Sequence, residues 1–346
     1  MKRNSARLVS EQPLSMEEDL FIRPQRLDEF IGQAKVINKL SMFIKAAKAR
    51  GEPLDHTLFC GPPGLGKTTL AGVVAREMGG ELKTTTGPAI SRTGDLAAIL
   101  SSLKPKDVFF IDEIHRLSPQ VEEILYSAME DFFLNIIIGK GPMARSIRLT
   151  LPKFTLIGAT TKPTLLSAPL RGRFGIIEQL EYYSVDELAE IVIRGASVLS
   201  IAIEEREAAL EIAKRSRGTP RVALRLLKRV RDIAEAQKKE RVDLRIAKRA
   251  LDILGIDDEG IDEQERRLLS VLIELFGGGP VGLSTLAAAM SEEERTVEEI
   301  YEPFLLRNGL LERTKVGRIA TKKAYERLGL PYFKGTREGE ENLHLF

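Results

Sequence analysis

The sequence predicts an α/β protein in three parts: a parallel-sheet domain carrying a phosphate-binding loop, a small helical domain, and a C-terminal winged helix. Three observations carry this expectation. Across residues 21–183 short apolar runs alternate with amphipathic stretches, the pattern of a parallel sheet covered by helices. Across residues 184–256 helical spacing alone continues, as in Leu188, Ile191 and Val192, and again in Val222, Leu226, Val230 and Ile233. Residues 257–335 open on an acidic, glycine-containing linker, Asp257-Asp258-Glu259-Gly260, and continue as three helical segments and a two-stranded ribbon.

The chain of 346 residues is too long for one core and suits several domains. Its 43% hydrophobic and 29% charged residues are those of an ordinary globular protein. It has no apolar run of the roughly 18 residues that a membrane helix needs. Residues 1–20 are polar, without the apolar stretch of a secretory signal, and the tail 336–346 is expected to be disordered. The single cysteine, Cys60, allows neither an internal disulfide nor a cysteine zinc module. A cytoplasmic location is expected. With 52 Lys and Arg against 50 Asp and Glu, any contact with nucleic acid must come from local patches.

The strands of the first domain are expected at 57–60, 108–111 and 154–158. After the first comes Gly61-Pro62-Pro63-Gly64-Leu65-Gly66-Lys67-Thr68, an ungapped G-x-x-x-x-G-K-[ST] opening a helix. Its glycines let backbone N–H groups turn towards phosphates, and the helix N-terminus adds the positive end of a dipole. Lys67 would reach the β- and γ-phosphates, and Thr68 would place its hydroxyl on Mg²⁺. A glycine-rich turn with a stray lysine is the bland alternative, which the strand–loop–helix context disfavours. The second strand ends in Asp112-Glu113, two carboxylates at the edge where parallel sheets bind ligands. Asp112 would hold Mg²⁺ through water, and Glu113 would polarise the attacking water. The third strand ends in Thr160 and Thr161; if it lies between the other two, a polar end there would face the γ-phosphate.

Arg171 and Arg173 lie in a loop with no carboxylate near them in sequence. They are either solvated or offered to a neighbouring subunit's nucleotide. In Gly218-Thr219-Pro220-Arg221, Thr219 suits an N-cap and Pro220 the first helical position, which puts Arg221 in the first turn. A cation there opposes the helix dipole unless it faces a bound phosphate.

Taken together these elements resemble the AAA+ superfamily and, within it, the RuvB family of Holliday-junction branch-migration motors. The likeness runs over about residues 20 to 333. It is carried by Phe30-Ile31-Gly32-Gln33, the phosphate loop, Phe110-Ile111-Asp112-Glu113-Ile114-His115-Arg116-Leu117-Ser118, Ala128-Met129-Glu130-Asp131, Gly158-Ala159-Thr160-Thr161 and Gly218-Thr219-Pro220-Arg221. The resemblance implies an AAA+ P-loop ATPase domain, a lid domain and a winged helix that binds DNA. It implies ATP and Mg²⁺ as ligands, a homohexamer, duplex DNA at Holliday junctions, a RuvA-like junction-binding protein and a RuvC-like resolvase.

Position by position, it places Ile22 and Arg23 on the adenine side, and Gly64, Lys67, Thr68 and Thr69 on the phosphates and Mg²⁺. Asp112 and Glu113 become the Walker B pair, Thr161 sensor 1, Arg173 the arginine finger, and Tyr183 and Arg221 the nucleotide contacts of the lid. Glu130, Asp131 and Phe132 match a segment near the subunit boundary, and Arg313 and Arg318 match arginines of a DNA-contacting wing. Here the wing reads Arg313-Thr314-Lys315-Val316-Gly317-Arg318, where the family commonly has proline and arginine at the third and fourth positions. Lys315 is then a candidate replacement for the cation missing at Val316.

Residues 134–151 are expected to form a hairpin turning at Gly139-Lys140-Gly141-Pro142, with Ile136, Ile147 and Leu149 among its aliphatic residues. These pack on their own domain or form an exposed docking tip; the resemblance supplies a RuvA-like partner for the tip. In the last domain the helix expected at 296–307 carries Glu298, Glu299 and Glu302, and the ribbon carries Arg313, Lys315 and Arg318. That asymmetry points to a wing that holds phosphates and a helix that reads no bases. A clamp-loader-type ATPase switch is the alternative reading, and a DNA-binding transcription regulator is a third.

Overall fold

The computed structural model describes residues 22–138 and 145–332, which form two compact units divided between Ala250 and Leu251. The expectations for residues 1–20, for the turn Gly139-Lys140-Gly141-Pro142 and for the tail 336–346 lie outside the described residues.

In the first unit the strands are β1 (Thr57–Cys60), β2 (Leu82–Thr86), β3 (Val108–Asp112), β4 (Phe133–Ile138), β5 (Arg145–Thr150), β6 (Thr155–Thr160) and β7 (Ile176–Gln179). Five of them make one parallel sheet in the order β2-β3-β6-β1-β7. The three apolar runs of the sequence are its three central strands. Each is buried along nearly its whole length, as helices on both faces of a sheet require. The edge strands differ: β2 reads Leu-Lys-Thr-Thr-Thr, and β7 alternates buried with exposed residues. Phe109, Ile111, Phe154 and Leu156 lie in the core on one side of the sheet, with Val121 and Leu125 of the helix Pro119–Glu130.

Register fixes the site. Cys60 pairs with Thr160, and Ile111 with Gly158, so the carboxyl ends of β1, β6 and β3 stand side by side. The phosphate loop, Thr161 and the pair Asp112-Glu113 leave from those three ends. β4 and β5 pair separately as an antiparallel hairpin.

The helical stretch of this unit contains Val185–Val198, Arg206–Lys214 and Pro220–Ala236. It is not wholly helical as the spacing predicts: Ala202–Ile203 (β8) and Arg241–Val242 (β9) pair in parallel. Strands of two residues are too short to show a period of two.

The second unit has helices Glu263–Glu274 and Leu283–Met290, a third helical run from Glu294 to Arg307, the hairpin β10 (Leu311–Arg313) and β11 (Arg318–Ala320), and a closing helix Lys322–Leu328. The third run is not one regular helix. It widens into a π turn at Val297–Tyr301 before resuming at Glu302–Arg307. Pro303 supplies the reason, since it has no N–H to donate and its ring crowds the carbonyl one turn back. The acidic segment that reads as a linker is a hydrogen-bonded turn. Asp257 Oδ1 accepts from the N–H groups of Glu259 and Ile261, and Oδ2 lies 2.8 Å from Arg327 Nη2.

Candidate functional site

The phosphate loop wraps a buried cation. Lys67 is the first residue of the helix Lys67–Met78 and 6% exposed, and its Nζ donates to the carbonyls of Gly61 at 2.7 Å and Pro62 at 2.8 Å. Burial pushes the ammonium below its usual range, the negative fields of Asp112 and Glu113 oppose that shift, and Arg221 adds to it. An ammonium so enclosed needs acceptors. Phosphate oxygens would serve better than two carbonyls, so the donor set fits a polyphosphate. Thr68 and Thr69, half-buried, share the first turn of this helix. Gly64 has φ +81°, and a Cβ there would stand 3.2 Å from Arg221 Cβ. Glycine therefore lets the helical region close on the loop, where Arg221 N lies 3.4 Å from Gly64 O.

Across from Lys67, Asp112 closes β3 and accepts from the Glu113 N–H at 3.0 Å. Glu113 turns out of the strand with φ +49° and begins the short helix Ile114–Arg116. Its Oε2 accepts from Thr161 Oγ1 at 3.1 Å and lies 3.3 Å from His115 Nδ1. The two threonines that end β6 therefore separate. Thr160 is fully buried, contacts His115 Nδ1 at 2.9 Å and accepts from Lys162 N, whereas Thr161 reaches the carboxylate. His115 is the residue the sequence reading misses as a site member. Its only signal is a lone imidazole two positions after Glu113.

Tyr183 and Arg221 approach from the other side. The Tyr183 hydroxyl donates to Leu65 O at 3.1 Å, and its ring occupies the space that a side chain at Gly32 would need. Burial pushes this phenol far above its usual range. Pro220 takes the first helical position as expected, but Thr219 makes no side-chain cap. Its hydroxyl lies 3.4 Å from Ser216 O instead. Arg221 is exposed. Ile22 is buried and its Cγ2 stands 3.9 Å from where a Cβ on Gly195 would lie, while Arg23 is half-buried beside it.

Arg173 has the carboxylate that its neighbours in sequence lack. The fold brings Glu130 Oε1 to 3.2 Å from its Nε, an ion pair without the alignment of a hydrogen bond. Nη1 donates to Pro169 O, and the guanidinium lies 4.3 Å from the Tyr126 ring centroid. Arg171, two positions earlier at the end of the short helix Ala168–Arg171, is exposed. Asp131 is exposed too, and Phe132 packs edge-on against Phe154 with centroids 5.8 Å apart.

The hairpin divides. Leu134, opposite Leu149, is buried, and Leu149 packs half-buried on the same core. Ile147, opposite Ile136, is 49% exposed. The side chain of Ile136 lies outside the described residues.

In the second unit the wing cations are unequal. Arg318 is only 12% exposed at its side chain, and its Nε lies 2.7 Å from Glu302 Oε1. Arg313 bonds Glu302 through Nη2 and lies 3.2 Å from Glu298 through Nη1. Both arginines of the wing are thus paired with acids of the preceding helical run. Lys315 is exposed at the turn beside Val316, which is 72% exposed.

Family models match almost the whole described chain. The Holliday junction DNA helicase RuvB P-loop domain covers residues 22–180, the RuvB AAA lid domain 183–257, and the RuvB C-terminal winged helix domain 258–329. A Holliday junction branch migration complex subunit RuvB of Chloroflexus aurantiacus is 58% identical over 320 residues, covering 92% of this chain and 91% of that one. Among solved structures, the Thermotoga maritima RuvB Holliday junction branch migration motor superposes with a TM-score of 0.80 at 52% identity, covering 90% of this chain and all of that one. A mutant of the same Thermotoga protein gives a TM-score of 0.81 at 51% identity.

Proposed function

The chain belongs to the RuvB family, and from that premise we propose that it is an ATP-driven ring motor that moves duplex DNA to drive branch migration of Holliday junctions in recombination and repair. It hydrolyses ATP, works as a homohexamer with a RuvA-like junction-binding protein and a RuvC-like resolvase, and acts in the cytoplasm. The ATPase domain spans residues 21–183, the lid 184–256 and the winged helix 257–335.

One observation carries the catalytic reading: Thr161 Oγ1 holds the Glu113 carboxylate at the end of β3, in the electrostatic field of the buried Lys67. Lys67 neutralises the β- and γ-phosphate charge of the substrate. Glu113 orients the attacking water and accepts its proton, and Thr161 keeps the carboxylate turned towards that water. Thr68 and Asp112 would hold Mg²⁺, which would supply positive charge to offset the charge that develops on the phosphates. Ile22, Arg23 and Tyr183 bound the nucleoside side, Gly64 and Thr69 the phosphate side. Arg221 reports the nucleotide to the lid. Arg173, paired with Glu130, serves the nucleotide of the adjoining subunit, and Glu130, Asp131 and Phe132 belong to the segment near that subunit boundary.

The test is ATP-dependent branch migration of a synthetic four-way junction with a RuvA-type protein present. Wild-type protein should move the junction and Glu113→Gln should bind ATP without moving it. Junction movement by Glu113→Gln at the wild-type rate would sink the reading.

A further inference from the structure

We propose that Glu302 is a positioning residue for the DNA grip of the wing, and that Glu298 covers that grip while DNA is absent. The inference rests on the reading of the wing as a phosphate-holding surface and goes beyond it by naming what shapes and masks that surface.

Glu302 is fully buried, and both its oxygens are used. Oε1 takes Arg318 Nε at 2.7 Å, while Oε2 takes Arg313 Nη2 and lies 3.4 Å from Arg318 Nη2. A carboxylate removed from water persists as an anion only with such partners. Arg313 and Arg318 are register partners across β10 and β11. Two guanidiniums side by side repel one another; the carboxylate beneath both holds them together and ties the hairpin to the helix.

Arg318 is the fixed half of this arrangement. Its backbone exchanges hydrogen bonds with Val281 at 2.8 and 3.0 Å, and its side chain is mostly covered. Arg313 is the open half, with its side chain 42% exposed. Glu302 takes one amino group, Nη2, and so aims the other, Nη1, outward. The group now on Nη1 is Glu298, itself 46% exposed and 3.2 Å away. A carboxylate and a phosphate oxygen satisfy a guanidinium in the same geometry. Glu298 therefore sits where a DNA phosphate would bind. It lies on the π turn that precedes Glu302, so one helical run supplies the anchor below and the cover above.

The experiment measures binding of the full chain to a blunt DNA duplex by fluorescence anisotropy over a salt series, with a thermal melt of each variant. Glu298→Gln should bind about threefold tighter, because a half-exposed competing ion pair is lost. Glu302→Gln should bind about tenfold weaker, the scale of a lost charged hydrogen bond. Glu302→Asp, which keeps the charge and so protects folding, should also weaken binding, because its shorter side chain no longer reaches both arginines.

In an Arg313→Ala/Arg318→Ala background, Glu302→Gln should cost nothing further, since it acts only through those side chains. An additive loss there would make Glu302 merely structural and overturn the proposal. So would wild-type affinity in Glu302→Asp, or unchanged or weaker binding by Glu298→Gln. If Arg313→Ala itself binds like wild type, the wing reading falls and the proposal with it. If Arg313→Ala is weak and the Glu302 variants are not, only the positioning role falls.

Discussion

The guanidinium of Arg173 lies 4.3 Å from the ring centroid of Tyr126. That contact holds the proposed arginine finger in a fixed posture on its own subunit. Tyr126 is itself fixed, since its hydroxyl donates to Glu122 Oε2 at 2.9 Å and lies 3.2 Å from Ser167 Oγ. Arg173→Ala should bind ATP and hydrolyse it roughly 10³-fold or more slowly, the scale of a missing arginine finger. Tyr126→Leu should lose several-fold, because a cation–π contact is worth about 0.5–2 kcal/mol, and Tyr126→Phe should lose less. Steady-state ATPase rates check this. Mixing Arg173→Ala with Lys67→Ala should restore some turnover, as intact pockets then meet intact arginines; no recovery in rings shown to be mixed would mean the arginine serves its own pocket.

The bond from Thr161 to Glu113 separates binding from chemistry. Lys67→Ala should lose ATP affinity, since it removes the cation on the ground-state phosphates. Glu113→Gln and Thr161→Val should keep affinity and lose turnover, the first almost wholly. Thr161→Val deletes one hydrogen bond to a charged group, about 1.5–3 kcal/mol or roughly 10- to 150-fold in rate. Nucleotide titration beside a phosphate-release assay tests both halves. Equal loss of affinity in Thr161→Val and Lys67→Ala would remove Thr161 from the chemical step.

How much of this is legible in the sequence follows from what each residue depends on. β1, β3 and β6 show as apolar runs because helices cover both their faces, whereas β2 and β7 do not, being half-exposed edges. Lys67, Asp112 and Glu113 are legible because phosphate chemistry ties them to a loop and a strand end a few residues long. The partner of Arg173 is 43 positions back at Glu130, and that of Arg318 is 16 back at Glu302, so no local pattern announces either pair. An acidic helix beside a basic ribbon reads as two separate surfaces. Only the fold reveals that Glu298 and Glu302 point their charges at the wing.

The hairpin yields a split prediction. Ile147 is 49% exposed, so Ile147→Ser should leave the melting temperature nearly unchanged and weaken binding to a RuvA-type protein. Leu149 packs on the domain core opposite Leu134, so Leu149→Ser should cost about 1–3 kcal/mol of stability. Calorimetric melts and a pull-down of purified partner distinguish the two. Full partner binding by Ile147→Ser would place the docking surface elsewhere.

His56 should make the first unit sensitive to acid. Its Nδ1 accepts the Leu156 N–H at 2.8 Å, which puts the proton on Nε2, 3.0 Å from Met129 O. The neutral ring thus joins β6 to the end of the helix that carries Glu130. Burial holds its pKa below the ordinary value of 6.5, against smaller opposing effects of the Met129 carbonyl and Asp55. The folded state therefore binds fewer protons than the unfolded chain wherever the pH lies between the two values. Stability from this residue is complete above about pH 6.5 and declines as the pH falls towards the lowered native value. His115 is shifted in the same direction by burial, so wild-type behaviour alone cannot isolate His56. The comparison with His56→Gln does. Glutamine cannot take up the proton, so the variant should be less stable by about 1–2 kcal/mol at pH 7.5 through poorer hydrogen bonding. It should then lose less than wild type on going to pH 5.5. Thermal melts at the two pH values measure both changes, and an equal loss in the two proteins would show that protonation of His56 does not destabilise the fold.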